Sequence, residues 1–121
     1  IVVGSDFNKD NNLDVAVSSG RGRLVSIFLG NGKGNFTQQL NYTFAGVPAA
    51  IVATDMNNDG NLDIVSADYL TNGSTVILGN GDGTFSQQNS FSMSNGSLPN
   101  AIDAGDFNRD KAQDVVVVNT G

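Results

Sequence analysis

The chain has 121 residues, a length that suits one domain with its own hydrophobic core. It contains no cysteine or histidine, which excludes a disulfide framework, a thiol nucleophile and the usual zinc ligands. Its formal net charge of −6 and its scattered Lys and Arg residues argue against nucleic acid as a partner, and no apolar run is long enough to span a membrane.

Residues 1–49 contain four short segments that the sequence predicts as strands. Each is rich in β-branched residues or alternates apolar with polar side chains, and Gly and Asn separate the segments. No window has the apolar spacing of an amphipathic helix. The predicted strands cover residues 1–5, 13–18, 24–29 and 35–42.

Two polar motifs connect these predicted strands. An acidic loop, Asp6-Phe-Asn-Lys-Asp-Asn-Asn-Leu-Asp14, follows the first, and a glycine-rich turn, Gly30-Asn-Gly-Lys-Gly-Asn-Phe36, precedes the fourth. Because glycine accepts the positive φ that tight hairpins need, we interpret the turn as a hairpin. The Lys-Ser/Thr pair of a phosphate-binding loop is absent from it. We expect Phe36 and its later equivalent Phe85 to be packing anchors.

The same pattern recurs with a period of about 50 residues. Predicted strands at 50–54, 62–67, 74–78 and 85–91 flank a second acidic loop and a second glycine-rich turn, Gly79–Phe85. Pro48 and Pro99 stand at equal distances before the second and third loops. We therefore predict repeat 1 at residues 1–49, repeat 2 at 50–100 and partial repeat 3 at 101–121, with acidic loops at 6–14, 55–63 and 106–114.

Four short strands per repeat of about 50 residues are typical of one blade of a β-propeller. The sequence therefore predicts an all-β fold of tandem four-stranded antiparallel blades, with about two and a half blades in the chain. Since so few blades cannot close a ring, we expect the array to be open, or to be completed by further chain or by neighbouring copies.

The three acidic loops contain most of the 12 acidic residues. Each places side-chain oxygens at loop positions one, three, five and nine, and position seven can offer its backbone carbonyl. Calcium takes six to eight oxygen ligands, whereas carboxylates this close together would repel one another without a cation. A solvated turn would need only one or two such residues. We predict up to three bound Ca²⁺ ions, with the candidate ligands Asp6, Asn8, Asp10, Asn12 and Asp14; Asp55, Asn57, Asp59, Asn61 and Asp63; and Asp106, Asn108, Asp110, Ala112 and Asp114.

These loops differ from an EF-hand, which needs a Glu at position 12 and flanking helices. Position six of such a loop favours glycine because the chain bends sharply there. The second loop has Gly60, the first has Asn11, which tolerates the left-handed region, and the third has Lys111, which adopts it only at a cost. We therefore predict that the second loop binds calcium most tightly and the third most weakly.

The combined motifs resemble the FG-GAP/VCBS repeats, of which integrin α-subunit β-propellers are the best-known members. The resemblance rests on Asp-x-Asn-x-Asp-x-x-x-Asp between strands and on the following Leu-Gly-Asn-Gly-x-Gly-x-Phe, and it extends over the whole chain. It implies calcium in the hairpin that joins the first two strands of each blade, at 6–14, 55–63 and 106–114. The family's ligand-binding surfaces vary, so the resemblance implies no particular partner.

Four Asn-x-Ser/Thr sequons are candidate N-glycosylation sites if a eukaryote secretes the chain. They lie beside the predicted fourth strand of repeat 1, in a turn, and before the third loop. The four asparagines are Asn35, Asn41, Asn72 and Asn95.

Three functions compete at this point. The first is a calcium-binding extracellular module with a structural or adhesive role, and the second is the repeating subunit of a self-assembling extracellular fibre or matrix. The third, a lectin or a propeller enzyme, has little support because the chain has no Trp for sugar stacking and few acids outside the loops. We expect no enzyme activity, an extracellular or cell-surface location, and partners that are further repeats, copies of the chain, or an extracellular protein or glycan.

Overall fold

A computed structural model describes residues 1–93 and 98–120 and contains ten β-strands in that part of the chain. They are β1 Val2–Ser5, β2 Asp14–Ser18, β3 Leu24–Gly30, β4 Phe36–Thr43, β5 Pro48–Thr54, β6 Asp63–Asp68, β7 Gly73–Gly79, β8 Phe85–Ser92, β9 Pro99–Gly105 and β10 Asp114–Asn119. Within these residues no helix is long and apolar enough to cross a membrane. The predicted all-β class is confirmed.

The strands form three antiparallel sheets in chain order. Two are four-stranded, β1-β2-β3-β4 and β5-β6-β7-β8, and the third is the pair β9-β10. Local hairpins connect every neighbouring pair of strands within each sheet. The three sheets are separate and do not close into a ring among the described residues.

The core lies between the first two sheets. Ala16 and Ile27 are paired across β2 and β3, so their side chains share one face of the first sheet, which we call face A. Ile64 and Ile77 are paired across β6 and β7 of the second sheet. They lie on the other face from Val65, which has the repeat position of Ala16, and we call this other face of each sheet face B. The four side chains of these two pairs are buried in one cluster. Face A of the first sheet therefore packs on face B of the second.

The third sheet continues this order on the other side of the second sheet. Val65 occupies the position in its repeat that Ala16 has in the first, and it pairs with Val76 on face A of the second sheet. These two valines and Val115 of β10, which matches Ile64, line one cavity of about 490 Å³. The contact between face A and face B is thus repeated along the molecule.

The two phenylalanines that follow the glycine turns have different surroundings. Phe85 is 8% exposed and packs edge-on against Phe7 and Tyr42, with ring centroids 5.6 and 5.5 Å apart. Its predicted role as an anchor is confirmed. The same prediction is wrong for Phe36, which is 54% exposed and has Phe28 as its aromatic neighbour. The difference arises because no described sheet covers face B of the first sheet.

These surroundings predict unequal effects of the same truncation. Phe85→Ala should destabilise the fold by about 3–5 kcal/mol, because it leaves a cavity beside Phe7. Phe36→Ala, the matched change in repeat 1, should cost less than about 0.5 kcal/mol in dilute solution, because the side chain is exposed. Urea denaturation measures both, and equal losses would contradict the described packing.

Candidate metal-binding loops

Each acidic loop joins the first two strands of a sheet, as predicted. The loops lie between β1 and β2, between β5 and β6, and between β9 and β10. The last residue of the first strand is paired with the Asp at position nine of the loop, which begins the second strand. In the first sheet this pair is Ser5 with Asp14. The antiparallel pairing therefore fixes both ends of each loop.

Side-chain oxygens organise the backbone inside the first loop. Asp6 accepts hydrogen bonds from the N–H groups of Asp10 and Asn11, at 3.2 and 2.8 Å. Asn8 Oδ1 accepts from the same Asp10 N–H at 3.1 Å, and Asp10 Oδ1 accepts from the Asn12 N–H at 2.8 Å. Since Asp6 Oδ1 and Asn8 Oδ1 share one donor, the oxygens of loop positions one and three converge.

The second and third loops have the same network. The equivalent bonds measure between 2.7 and 3.1 Å. In every loop the Asn at position three also donates its amide N–H to the carboxylate at position five, at 2.9–3.1 Å. One loop conformation is thus present three times, although the sequences at positions two, four and six differ.

The aspartate at position nine connects the loop to the rest of the sheet. Asp14 is fully buried and accepts from the N–H groups of Phe7 and Gly30, both at 2.8 Å. Asp63 is equally buried and makes the two equivalent bonds at 2.8 Å. One carboxylate therefore ties together the loop, the second strand and the first residue of the glycine turn.

The third loop has the bond between its position-nine carboxylate and the loop backbone. Asp114 accepts from the Phe107 N–H at 3.0 Å, and its other oxygen faces the side-chain amide of Asn108 at 3.5 Å. Its side chain is partly buried. The bond from the position-two N–H to the position-nine carboxylate is therefore common to all three loops.

The glycine turn has a second role that sequence reasoning missed. A Cβ at Gly79 would lie 2.1 Å from the backbone oxygen of Leu62, and one at Gly81 would lie 2.3 Å from Asn61 Oδ1. The turn therefore packs directly on the acidic loop, and glycine is needed for close approach as well as for hairpin geometry. The available signal was the constant spacing of 16 residues between the position-nine Asp and the first Gly of the turn.

Two positions in each loop have left-handed backbone. The sequence predicts a sharp bend with left-handed backbone at position six, where Asn11, Gly60 and Lys111 have φ of 66°, 82° and 73°. The left-handed backbone at position four was not predicted; there Lys9, Asn58 and Arg109 have φ of 61°, 58° and 66°. Non-glycine residues adopt this region at a cost, and least readily where the side chain is long and cannot bond locally.

The carboxylates of the second loop influence one another. Burial raises the pKa of Asp63, and the negative charges of Asp59 and Asp55 raise it further. Asp59, by contrast, is exposed, and the backbone N–H of Asn61 holds its pKa below the usual value. The three charges of one loop therefore lie close enough to repel.

The donor set fits a hard cation, because every candidate ligand is an oxygen and most are carboxylates. Among the described residues, however, no three acidic side chains form a ready-made group that could hold a metal ion. Asp10 and its equivalents Asp59 and Asp110 are exposed. A cation would use the lone pairs of these position-five carboxylates that their present hydrogen bonds leave free.

The described sequons lie at the surface or in a turn. Asn35 is exposed just before β4 and Asn41 is exposed within it, while Asn72 is half-buried in the turn before β7 with φ of 47°. Asn95 lies outside the described residues. Glycosylation of these sites stays a prediction.

Comparison with protein families gives a match over most of the chain. A model of the FG-GAP-like repeat matches residues 6–66 and again residues 55–117. The two matched segments begin at the first residue of the first and second acidic loops. Comparisons with curated proteins and with solved structures gave no match.

The contact between turn and loop predicts a large effect of one methyl group. Gly79→Ala should destabilise the fold by about 3 kcal/mol, because the new Cβ would overlap the Leu62 carbonyl. Gly105→Ala is the matched control, since its Cβ would meet Phe107 at an ordinary 3.5 Å. Thermal unfolding of both variants measures the difference, and a harmless Gly79→Ala would contradict the packing of turn on loop.

The left-handed backbone of the third loop predicts a gain from glycine. Lys111→Gly should raise stability by about 1 kcal/mol, because glycine adopts φ of 73° without steric cost. Lys111→Ala removes the same charge but keeps the strain, so it should bring no such gain. Urea titration compares the two variants, and equal stabilities would show that backbone strain at this position is unimportant.

Proposed function

Since this chain belongs to the FG-GAP-like repeat family, we propose that it is a calcium-binding extracellular repeat module with a structural role. In this proposal one Ca²⁺ rigidifies the first hairpin of each repeat. Further repeats of the same chain, or copies of it, complete the array as blades of a propeller. The family match and the three successive antiparallel sheets support the repeat architecture.

The observation that carries the calcium proposal is the burial of the position-nine carboxylates. Asp14 and Asp63 are 0% exposed, and backbone N–H groups are their hydrogen-bond donors. A buried charge is costly unless an opposite charge lies near it. In the second loop, burial and the negative charges of Asp59 and Asp55 raise the pKa of Asp63, so a cation among these carboxylates would offset that cost.

The residues that would hold the ion are the same in kind in every loop. In the first loop they are the side chains of Asp6, Asn8, Asp10 and Asp14 with the backbone carbonyl of Asn12. Calcium would supply positive charge that neutralises converging carboxylates, and it would cross-link the loop without disulfides. Three such ions would balance the net charge of −6.

The extracellular location follows from the expected affinity. Open loops with three carboxylates suit the range of about 10⁻⁴–10⁻³ M that extracellular modules use. Cytosolic calcium would leave such loops empty and self-repelling. The absence of cysteine means that calcium, and not disulfides, would provide the cross-links.

We propose no catalytic role. Of the acids outside the loops, Asp68 is buried and accepts hydrogen bonds from the hydroxyls of Ser66 and Thr75. Asp82 is exposed and bonds the backbone and hydroxyl of Thr84 within the glycine turn. Each of these bonds satisfies local structure, and neither carboxylate is paired with a base or a nucleophile in them.

Removal of calcium tests the proposal. At a calcium concentration ten times Kd each independent site stabilises the fold by about 1.4 kcal/mol. A chelator should therefore lower the melting temperature of the calcium-loaded protein by about 10 °C or more. Circular dichroism melting curves with and without chelator give this shift.

A pair of single substitutions assigns the effect to the loops. Asp59→Ala should remove at least about a third of the calcium-dependent shift in melting temperature. Asp103→Ala, which removes an exposed carboxylate outside the loops, should leave the shift unchanged. A melting curve of the parent protein that is indifferent to chelator would overturn the calcium proposal.

A further inference from the structure

Lys9 of the first acidic loop extends to the second acidic loop. A Cβ at Gly81 in the second glycine turn would lie 3.6 Å from Lys9 Cε and 2.3 Å from Asn61 Oδ1. Asn61 is position seven of the second acidic loop, so the end of the Lys9 side chain lies beside a loop to which its backbone does not belong. The side chain is exposed, and such a lysine lays its apolar stem on the protein while its ammonium group stays in water.

The backbone of the first loop holds the base of this side chain in place. The Gly83 N–H donates to the Phe7 carbonyl at 3.1 Å, and a Cβ at Gly83 would lie 3.4 Å from Asn8 Cβ. Phe7 also packs edge-on against Phe85. Three successive residues of the first loop, of which Lys9 is the third, therefore contact the second glycine turn or the residue that follows it.

The positive charge of Lys9 acts on the carboxylates of the second loop. The Asn61 N–H is the main group that holds the pKa of Asp59 below its usual value, and the Lys9 charge acts in the same direction. In the same loop burial raises the pKa of Asp63, and the charges of Asp59 and Asp55 raise it further. A cation tethered beside Asp59 therefore reduces the repulsion within a metal-free second loop.

The loop conformation does not require a lysine at this position. Position four is Lys9, Asn58 and Arg109 in the three loops, with φ of 61°, 58° and 66°. Asn58 supports the same backbone without a charge, and asparagine adopts the left-handed region more readily than lysine does. Local folding therefore does not account for the lysine, whereas its contact with the second loop gives its charge a role.

We propose that Lys9 is a tethered counter-charge of the second acidic loop, which competes with the divalent cation that this loop would bind. Lys9 stabilises the metal-free loop, and a bound cation of charge +2 repels it, so the lysine weakens cation binding. It opposes the advantage that Gly60 gives the second loop. The competition rests on the calcium sites of the proposed function, whereas the stabilisation of the metal-free loop does not.

Site-resolved calcium titration tests the competition. The amide NMR signals of Gly60 and Lys111 report on the second and third loops separately. Charges of +1 and +2 that lie about 8 Å apart in water repel enough to weaken binding about fivefold. Lys9→Met removes the charge and keeps the stem, so the Kd of the second loop should fall about fivefold at low salt, while that of the third should not change. In about 0.5 M potassium chloride the difference should shrink below about twofold, because salt screens exposed charges.

Two control variants isolate the charge and its position. Lys9→Arg keeps the charge, so its second loop should bind calcium as the parent does. Arg21→Met removes the same charge from the exposed turn between β2 and β3, at the end of β2 away from the acidic loop. It should leave the Kd of the second loop unchanged.

Melting curves in chelator test the counter-charge without calcium. At low salt Lys9→Met should lower the melting temperature of the metal-free protein by about 1–3 °C, because the repulsion within the second loop is no longer offset. Asp59→Asn removes the partner charge and keeps the shape of the side chain. In the Asp59→Asn background Lys9→Met should therefore have no such effect, since the two changes act on one interaction.

Three results would contradict the counter-charge while the calcium sites stand. They are a Lys9→Met second loop that binds calcium no more tightly than the parent's, a Lys9→Arg loop that binds as Lys9→Met does, and metal-free melting that Lys9→Met leaves unchanged. Failure of the proposed function has a different signature. A parent chain in which no loop amide responds to calcium would refute the calcium sites and, with them, the competition.

Discussion

The carboxylate at position nine of each acidic loop is the interaction on which the rest of a repeat depends. Asp14 and Asp63 each accept two backbone N–H groups, one from the loop and one from the glycine turn. An alanine there would leave both buried donors unsatisfied, at a cost of about 1–3 kcal/mol each. The first hairpin of the sheet and the later turn are therefore one structural unit, although 16 residues separate their partners.

This unit also determines how neighbouring sheets meet. The glycine turn that bonds Asp63 carries Gly83, whose N–H bonds the Phe7 carbonyl in the preceding loop. A Cβ at Gly83 would lie 2.8 Å from the side chain of Leu29 in the first sheet. The same short turn thus contacts its own loop and the loop of the neighbouring sheet. The stacking order of the sheets follows from local hairpin chemistry.

The sequence predicted the strands and loops well, because alternation and turn residues act over a few neighbours. It could not distinguish Phe36 from Phe85, since their motifs are alike and only the neighbouring sheet differs. The left-handed backbone at Lys9 runs against residue preference, and the hydrogen bonds from the Asp10 and Asn11 N–H groups back to Asp6 span it. The bond from Gly79 to Asp63 was missed because it joins distant parts of the repeat.

The third loop shows how a shared network holds a backbone that its own residue disfavours. Lys111 has φ of 73°, and its N–H bonds the Asp106 carboxylate at 2.9 Å, as the N–H groups of Asn11 and Gly60 bond the equivalent carboxylates at 2.8 Å. A long side chain adopts this left-handed region at a cost that glycine does not have. The loop conformation is therefore the same in all three repeats, but the third repeat spends more free energy to adopt it. Because a cation would bind this conformation, the backbone cost at Lys111 places the third loop last in expected affinity.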